Sequence, residues 1–177
     1  MIIANLQGQA ANRSEVPFLL FDLAKQLYGL PIAPIVQIIE MVTIHPLPQA
    51  PSFVKGIINY RGQIVPVIDL RLRFGLPEKP YQLHTPIILL DFEDQLLGMV
   101  VDTAHEVHFI APTHISKGDT LVPLKLTHID DPSAPQQMQI NRVAQAEQQL
   151  ILILDIESLL TETEQISLLH AMAIEQA

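Results

Sequence analysis

The stretch from Phe53 to Leu70 constrains the fold most, because it has the pattern of two short strands joined by a tight turn. A run of mostly β-branched residues between turn residues indicates strands that are buried on both faces. The apolar positions of the two arms are Ile57, Ile58, Ile64, Val65, Val67 and Ile68. Between the arms, Asn59 and Gly62 can adopt the positive φ that a tight turn needs. The pattern predicts a stiff β-hairpin that carries Tyr60 and Arg61 at its tip.

The second arm of this hairpin contains Pro66, which has no N–H to donate to a neighbouring strand. A missing donor is tolerated at the edge of a sheet or at a β-bulge. We therefore expect this arm to lie at an edge or to carry a bulge.

Further segments of the chain also have the strand pattern. Hairpins are predicted for residues 18–23 with 27–30, 85–92 with 95–102, and 138–144 with 150–156. Single strands are predicted at 107–110 and 121–126, a brief helical turn at 112–115, an extended connector at 46–51 and a loop at 128–137. Many short strands with few helices indicate an all-β barrel or sandwich.

A short helix after the first hairpin and a C-terminal helix complete the prediction. After Pro34, apolar residues recur at the i, i+3, i+4 and i+7 spacing of a helix, namely Ile35, Ile38, Ile39 and Val42. Thr161 and Glu164 have the spacing of a capping box, so a C-terminal helix is expected from about residue 161. Ile166, Leu169 and Ala173 form its predicted apolar stripe.

Composition limits the function classes. The net charge of −9 argues against nucleic-acid binding, and the absence of cysteine excludes thiol catalysis and disulfides. No apolar run approaches the ~20 residues that span a bilayer, and the start lacks the features of a signal peptide. We expect a cytoplasmic protein without direct membrane insertion, with a flexible tail over 1–15 and a single domain over 16–177.

The hairpin also carries a resemblance. The run from Gly56 to Gly62, followed by Val65-Pro-Val-Ile-Asp-Leu70, resembles the signature of the CheW family. That family comprises adaptors that couple a CheA-type histidine kinase to chemoreceptors. The resemblance implies two small five-stranded SH3-like β-barrels that share a core. It also implies a non-enzymatic scaffold that binds the kinase's regulatory domain and the cytoplasmic tip of a receptor, and needs no cofactor.

The first predicted binding residues lie in the hairpin. In the resembled family, the arginine at the position of Arg61 contributes to coupling with receptor and kinase; a structural ion pair with Asp69 is the alternative. Tyr60 lies beside it, and aromatic and guanidinium groups on a rigid support are typical of binding hot spots. Asn59 is expected mainly to shape the turn. Gly56 is expected to allow close backbone approach or to serve turn geometry.

Two further segments carry predicted binding residues. Val36, Gln37 and Glu40 would point away from the apolar face of the helix predicted after Pro34. Gln37 stands where the family pattern Val-x-Glu-Ile has glutamate, which preserves shape and hydrogen bonding but removes the charge.

The second segment runs from Val101 to Val107 and matches the family pattern Val-Asp-x-Val-x-Asp/Glu-Val. Asp102 is either an interface acid or the end of its strand, and Val107 closes the match. The Asp130–Gln137 loop looks longer than in the family.

The sequence offers little that is typical of an active site. His105 and His108 are spaced i, i+3, and on a strand such residues point to opposite faces, which disfavours a shared metal. No Gly-x-Ser-x-Gly elbow, dinucleotide fingerprint or P-loop occurs. We therefore predict no catalytic or metal-binding residues. A metal-dependent hydrolase on a β-barrel and a self-associating structural module remain as alternatives.

Overall fold

The computed structural model describes residues 15–117, 142–146 and 148–175. One sheet contains β1 (Val16–Leu23), β2 (Gln26–Pro31), β8 (Thr103–Ile110), β9 (Ile115–Lys117), β10 (Arg142–Ala146) and β11 (Gln149–Ile153). The other contains β3 (Ile35–Glu40), β4 (Val54–Tyr60), β5 (Gln63–Asp69), β6 (Pro86–Phe92) and β7 (Gln95–Val100). Helices α1 (Leu70–Arg73) and α2 (Glu162–Glu175) and 3-10 turns at Pro112–His114 and Ile156–Ser158 complete the described elements.

The strand orders are β8-β1-β2-β11-β10-β9 in the six-stranded sheet and β3-β6-β7-β5-β4 in the five-stranded sheet. Each sheet buries one face in an apolar cluster of its own. These clusters contain Phe18, Leu20, Ile110, Ala144, Ile151 and Ile153 in the first sheet, and Ile58, Val65, Val67, Ile87, Leu89 and Val100 in the second.

The opposite faces of both sheets meet in a third, larger cluster. Along β1, Leu19 and Phe21 alternate with Phe18 and Leu20, which belong to the first sheet's own cluster. Leu19 and Phe21 join Ile68 of β5 in this shared core. The prediction of a mainly β protein with two SH3-like units around a common core is confirmed. Within the described residues, one sheet has six strands rather than the predicted five, because the three-residue β9 pairs with β10.

The predicted hairpins are largely confirmed. β1 and β2 pair antiparallel, as do β4 with β5 and β6 with β7. Glu93 and Asp94 turn the β6–β7 hairpin with φ values of 50° and 63°. β10 and β11 pair antiparallel where the last hairpin is predicted, and β11 ends at Ile153 rather than at residue 156. The 3-10 turn agrees with the helical turn predicted at 112–115, and β8 begins four residues before the predicted Val107.

The helix predicted after Pro34 is wrong, because residues 35–40 form strand β3. Ile35 pairs with Leu90 and Gln37 with Leu89, so β3 carries a bulge at Val36. The extra residue places Ile35 and Ile38 on the same face of a strand, a spacing that otherwise indicates a helix. The bulge therefore explains why periodicity alone selected the wrong element.

The edge position expected for the arm containing Pro66 is also wrong. β5 lies between β4 and β7, and the bulge of this hairpin lies in β4, between Val54 and Gly56. Pro66 is opposite Ile57 of β4, while parallel pairing with β7 begins only at Val67. An interior strand tolerates this proline because its ladder is formed on one side only at that position.

The capping box of α2 is confirmed, but its apolar stripe is not. The Thr161 N–H donates to Glu164 Oε2 at 2.8 Å, and the Glu164 N–H donates to Thr161 Oγ1 at 3.3 Å. Leu168 and Ala171 enter the shared core, whereas the predicted stripe residues are exposed. The stripe residues are Ile166, Leu169 and Ala173. The helix is apolar on both sides, so the sequence did not show which side is buried.

Some predictions fall outside the described residues. These are residues 1–14 of the tail predicted over 1–15, the strand at 121–126, the loop at 128–137, including Asp130–Gln137, and residues 138–141 of the last predicted hairpin. In the part of the chain that the structure describes, no helix is both long and apolar enough to span a membrane.

Candidate protein-interaction site

The tip of the β4–β5 hairpin is a two-residue turn with an exposed arginine. Arg61 and Gly62 have φ values of 54° and 86°, and two successive positive values are typical of the tight turns that match strand twist. Asn59 remains in the strand, and its Oδ1 accepts a hydrogen bond from the Gly62 N–H at 2.8 Å. Asn59 therefore shapes the turn through its side chain, while Arg61 adopts the strained backbone conformation.

A tyrosine supports the arginine and joins it to β3. The Arg61 guanidinium carbon lies 5.1 Å from the centre of the Tyr60 ring, within the range of a cation–π contact. The Tyr60 hydroxyl donates a hydrogen bond to Gln37 Oε1, and the Tyr60 ring packs against the apolar cluster that belongs to the five-stranded sheet alone. Val36, at the bulge beside Gln37, is 45% exposed. We call these residues the hairpin-tip surface: Val36, Gln37, Asn59, Tyr60 and Arg61.

The charge on the hairpin-tip surface is available to a partner. Among the described residues, no carboxylate lies within ion-pair distance of Arg61. Asp69, the alternative structural partner, is buried at the N-cap of α1 and accepts hydrogen bonds from the Arg71 and Leu72 N–H groups. Because Gln37 is neutral, it adds no negative charge beside the guanidinium.

Gly56 lies in the bulge of β4 and is buried. Its φ is 144°, and a Cβ placed there would lie 2.0 Å from the carbonyl oxygen of His45. His45 and Ile57 exchange backbone hydrogen bonds of 2.9 and 2.8 Å, which hold the preceding connector against the free edge of β4. Gly56 thus permits a close backbone approach within the fold and presents no side chain to a partner.

The other predicted residues pair or pack with residues outside the hairpin-tip surface. Glu40, at the end of β3, is exposed and lies 3.1 Å from Nδ1 of His84. Asp102 Oδ2 accepts hydrogen bonds from Arg71 Nη1 at 2.7 Å and from the Ala24 N–H at 2.9 Å. Val107 is partly buried against the shared core.

A polar network that sequence reasoning missed surrounds α1. Asp69 accepts a 2.5 Å hydrogen bond from the Tyr81 hydroxyl besides capping the helix, and Arg71 of the same helix pairs with Asp102. Because Asp102 also binds Ala24, the network joins the β1–β2 turn of one sheet to the helix that follows β5 of the other. An aspartate just before a short apolar and basic run was the available signal, since it is typical of a helix N-cap.

Tyr81 of this network and the buried Tyr28 predict that the protein becomes less stable at high pH. Burial, together with the hydrogen bond to Asp69, raises the pKa of Tyr81 well above its usual range, and burial raises the pKa of Tyr28 to about 12. Above pH 10 the unfolded chain loses protons that the native protein retains, so the free energy of unfolding should fall with pH. Each tyrosine contributes a slope of up to about 1.4 kcal/mol per pH unit.

Urea unfolding between about pH 8 and about pH 11 measures this slope. We expect Tyr81→Phe to reduce the slope, because that variant has no proton to lose at this position. An unchanged slope in the variant would show that burial and the contact with Asp69 do not raise the pKa of Tyr81 in the native protein.

The histidines of β8 pair with carboxylates. His105 Nε2 lies 2.7 Å from Asp22 Oδ2, and His108 Nε2 lies 3.6 Å from Glu106 Oε1. In residues 15–117, 142–146 and 148–175, no group of three or more His, Asp or Glu side chains has the geometry to hold a metal ion.

Comparisons with known proteins identify the family. A family model described as the CheW-like domain matches residues 17–164. Chemotaxis protein CheW of Klebsiella aerogenes is 33% identical over 105 residues, which cover 59% of this chain and 61% of the relative. Chemotaxis protein CheW of Thermotoga maritima is 27% identical over 148 residues, which cover 84% and 89%. For the relatives from Klebsiella aerogenes and Treponema pallidum, the chain spans about three fifths of their length, 61% and 57%.

A solved structure agrees with this assignment. The crystal structure of scaffolding protein TtCheW from Thermoanaerobacter tengcongensis superposes with a TM-score of 0.70 at 31% sequence identity. The match covers 85% of this chain and 95% of that chain. With the family model matching most of its length, the chain belongs to the CheW-like domain family.

Proposed function

We propose that this protein is a cytoplasmic, non-enzymatic scaffold that couples chemoreceptors to a CheA-type histidine kinase. Its membership of the CheW-like family supports the proposal, as does its similarity to a solved protein described as a scaffold. The structural observation that carries it is the exposed Arg61, held on Tyr60 at the tip of a rigid hairpin without a carboxylate partner among the described residues.

The scaffold would act through binding alone. One surface docks the regulatory domain of the kinase, and another holds the cytoplasmic tip of a receptor. A ligand-dependent change in the receptor then alters which kinase state the contacts favour, because coupling between two sites is a difference in binding free energy. Association with the membrane arises through the receptor in this proposal.

Within the hairpin-tip surface, the residues have different roles. Arg61 supplies charge and directional donors, and Tyr60 supplies a rigid aromatic face, the residue types that dominate binding hot spots. Asn59 fixes the turn, and Gln37 fixes the tyrosine hydroxyl. Since Gln37 replaces an acidic residue of the family pattern, the partner needs no cation opposite it.

Arg61→Glu is expected to weaken binding of the kinase regulatory domain by about 2 kcal/mol or more, roughly thirtyfold in Kd. The physical reason is that the variant loses a desolvated guanidinium contact and places a carboxylate opposite the acidic partner group that would bind the guanidinium. Calorimetric titration of the purified protein with that domain measures the effect, and thermal unfolding verifies that the exposed substitution leaves the fold intact.

Lys25→Glu provides a matched control. Lys25 is also an exposed cation with positive φ in a tight hairpin turn, but it lies in the β1–β2 turn of the other sheet. The control should bind as the parent does. Equal weakening by both variants would indicate a general charge effect, and full binding by Arg61→Glu would remove the hairpin tip from the kinase interface.

A further inference from the structure

The outer face of α2 carries an apolar stripe. Ile166 is 67% exposed and Leu169 is 47% exposed, and the exposed Ala173 follows four residues later. The helix meets the rest of the protein through Leu168 and Ala171, which are each 5% exposed. Removing the stripe from water would be favourable, since apolar burial contributes about 25 cal/mol per Å².

The stripe borders a shallow apolar groove. The groove has a volume of about 60 Å³ and lies between α2 and the end of the β6–β7 hairpin. Its walls include Pro66, Phe92, Leu96, Leu160, Leu169 and Met172. Leu169 belongs to both the stripe and the groove, so the two form one continuous surface, which we call the α2 face.

The α2 face has an acidic rim. Glu93 and Asp94 are exposed at the tip of the β6–β7 hairpin, and Gln165 Nε2 lies within 3.5 Å of Glu93 Oε1, which places this turn beside the helix. Glu162 is exposed at the start of the helix. Neither the sequence from 162 to 175 nor the groove lining contains lysine or arginine, and the base in this stretch is His170.

This charge pattern disfavours a second copy of the chain as the occupant. A symmetric contact through the α2 face would bring the same acidic rim of both molecules together, and like charges repel across an interface. A partner whose apolar surface is flanked by lysine or arginine would instead gain complementary charge.

We propose that the α2 face is a docking surface for an amphipathic helix of another protein, with basic residues flanking its apolar side. An apolar stripe at helical spacing beside a groove suits a helix packed alongside α2, with its anchors at i, i+3 and i+4 or i+7. The α2 face and the hairpin-tip surface have no residue in common. The proposal therefore does not depend on the role of Arg61.

A synthetic helical peptide tests this proposal. The probe is a peptide of about 18 residues with leucine at the core positions of a heptad repeat and lysine at the flanking positions. We expect saturable one-to-one binding to the full chain by fluorescence anisotropy, weakened by added salt. A peptide of the same design with glutamate in place of lysine should bind at least about tenfold more weakly.

Variants locate the site. Ile166→Gln combined with Leu169→Gln should weaken binding of the lysine peptide at least about tenfold, because it removes the apolar anchors without adding charge. Ser167→Gln is the matched control, because it places the same side chain on the same helix but away from the stripe, and it should bind nearly as the parent does. Arg61→Glu should leave peptide binding unchanged, which separates this surface from the hairpin tip.

Three outcomes would overturn the proposal. These are absence of saturable binding, equal binding of both peptides, and retention of binding by the double variant. Sedimentation equilibrium supplies a fourth: a dimer that the double variant abolishes would show that a second copy covers the face.

Discussion

Gly56→Ala is expected to lower the free energy of unfolding by about 4 kcal/mol. The added Cβ would lie 2.0 Å from the His45 carbonyl oxygen, a contact that requires backbone movement. The same carbonyl accepts the Ile57 N–H at 2.8 Å, so moving it also breaks the pairing that covers the edge of β4. Urea unfolding followed by circular dichroism measures the loss.

Gly62→Ala is the control for backbone conformation alone. Gly62 also has a positive φ, 86°, but no atom lies within 4 Å of the position that a Cβ would take. This variant should lose only about 1–2 kcal/mol, the cost of a strained φ for a residue with a side chain. Equal losses in the two variants would show that φ, and not the contact with His45, requires glycine at position 56.

Arg73→Ala is expected to lower the free energy of unfolding by about 3 kcal/mol or more. Arg73 is buried, donates from Nε to the Leu159 carbonyl at 2.8 Å, and pairs through Nη2 with Glu164 at 3.2 Å. Its guanidinium also lies 4.8 Å from the centre of the Phe53 ring. The variant loses all three contacts and leaves the Leu159 carbonyl without this donor.

The destabilisation by Arg73→Ala should be greatest at α2, because Glu164 is part of the capping box of this helix. Hydrogen exchange should therefore accelerate more in α2 than in β5–β7. Glu164→Gln keeps an oxygen for the Thr161 N–H and removes the charge, so a double-mutant cycle with Arg73→Ala isolates the ion pair. A coupling energy near zero would assign the effect of Arg73 to its contacts with Leu159 and Phe53 rather than to the ion pair.

The fold was predictable where local chemistry and tertiary packing agree. Glu93 and Asp94 turn a hairpin between two apolar runs, and Thr161 with Glu164 caps a helix, since both signals depend only on neighbouring residues. The prediction of a helix after Pro34 was wrong because the bulge at Val36 shifts the alternation of the strand by one residue. Pairing with β6 determines that bulge, and a neighbouring strand is not visible in the local sequence.

The candidate site was predictable in its composition but only partly in its geometry. The hairpin pattern placed Tyr60 and Arg61 together, and the structure adds Gln37 through a hydrogen bond from another strand. Asp102 belongs to the matched family pattern, but its carboxylate accepts hydrogen bonds from Arg71 and from the Ala24 N–H. A long-range ion pair leaves no periodic signal in the sequence, so this pairing was not predictable. The binding roles assigned to these residues remain predictions.

The arrangement of the two sheets has a consequence for how the chain assembles during synthesis. All strands of the five-stranded sheet come from one continuous segment, β3 to β7, so this sheet can form once Val100 has emerged. The other sheet needs β11 to pair with β2 through Leu152 and Tyr28, a contact between distant parts of the chain. Closing such a long loop slows folding, so β2 gains its β11 neighbour late, after β8 has become available to β1 and after the five-stranded sheet can have formed.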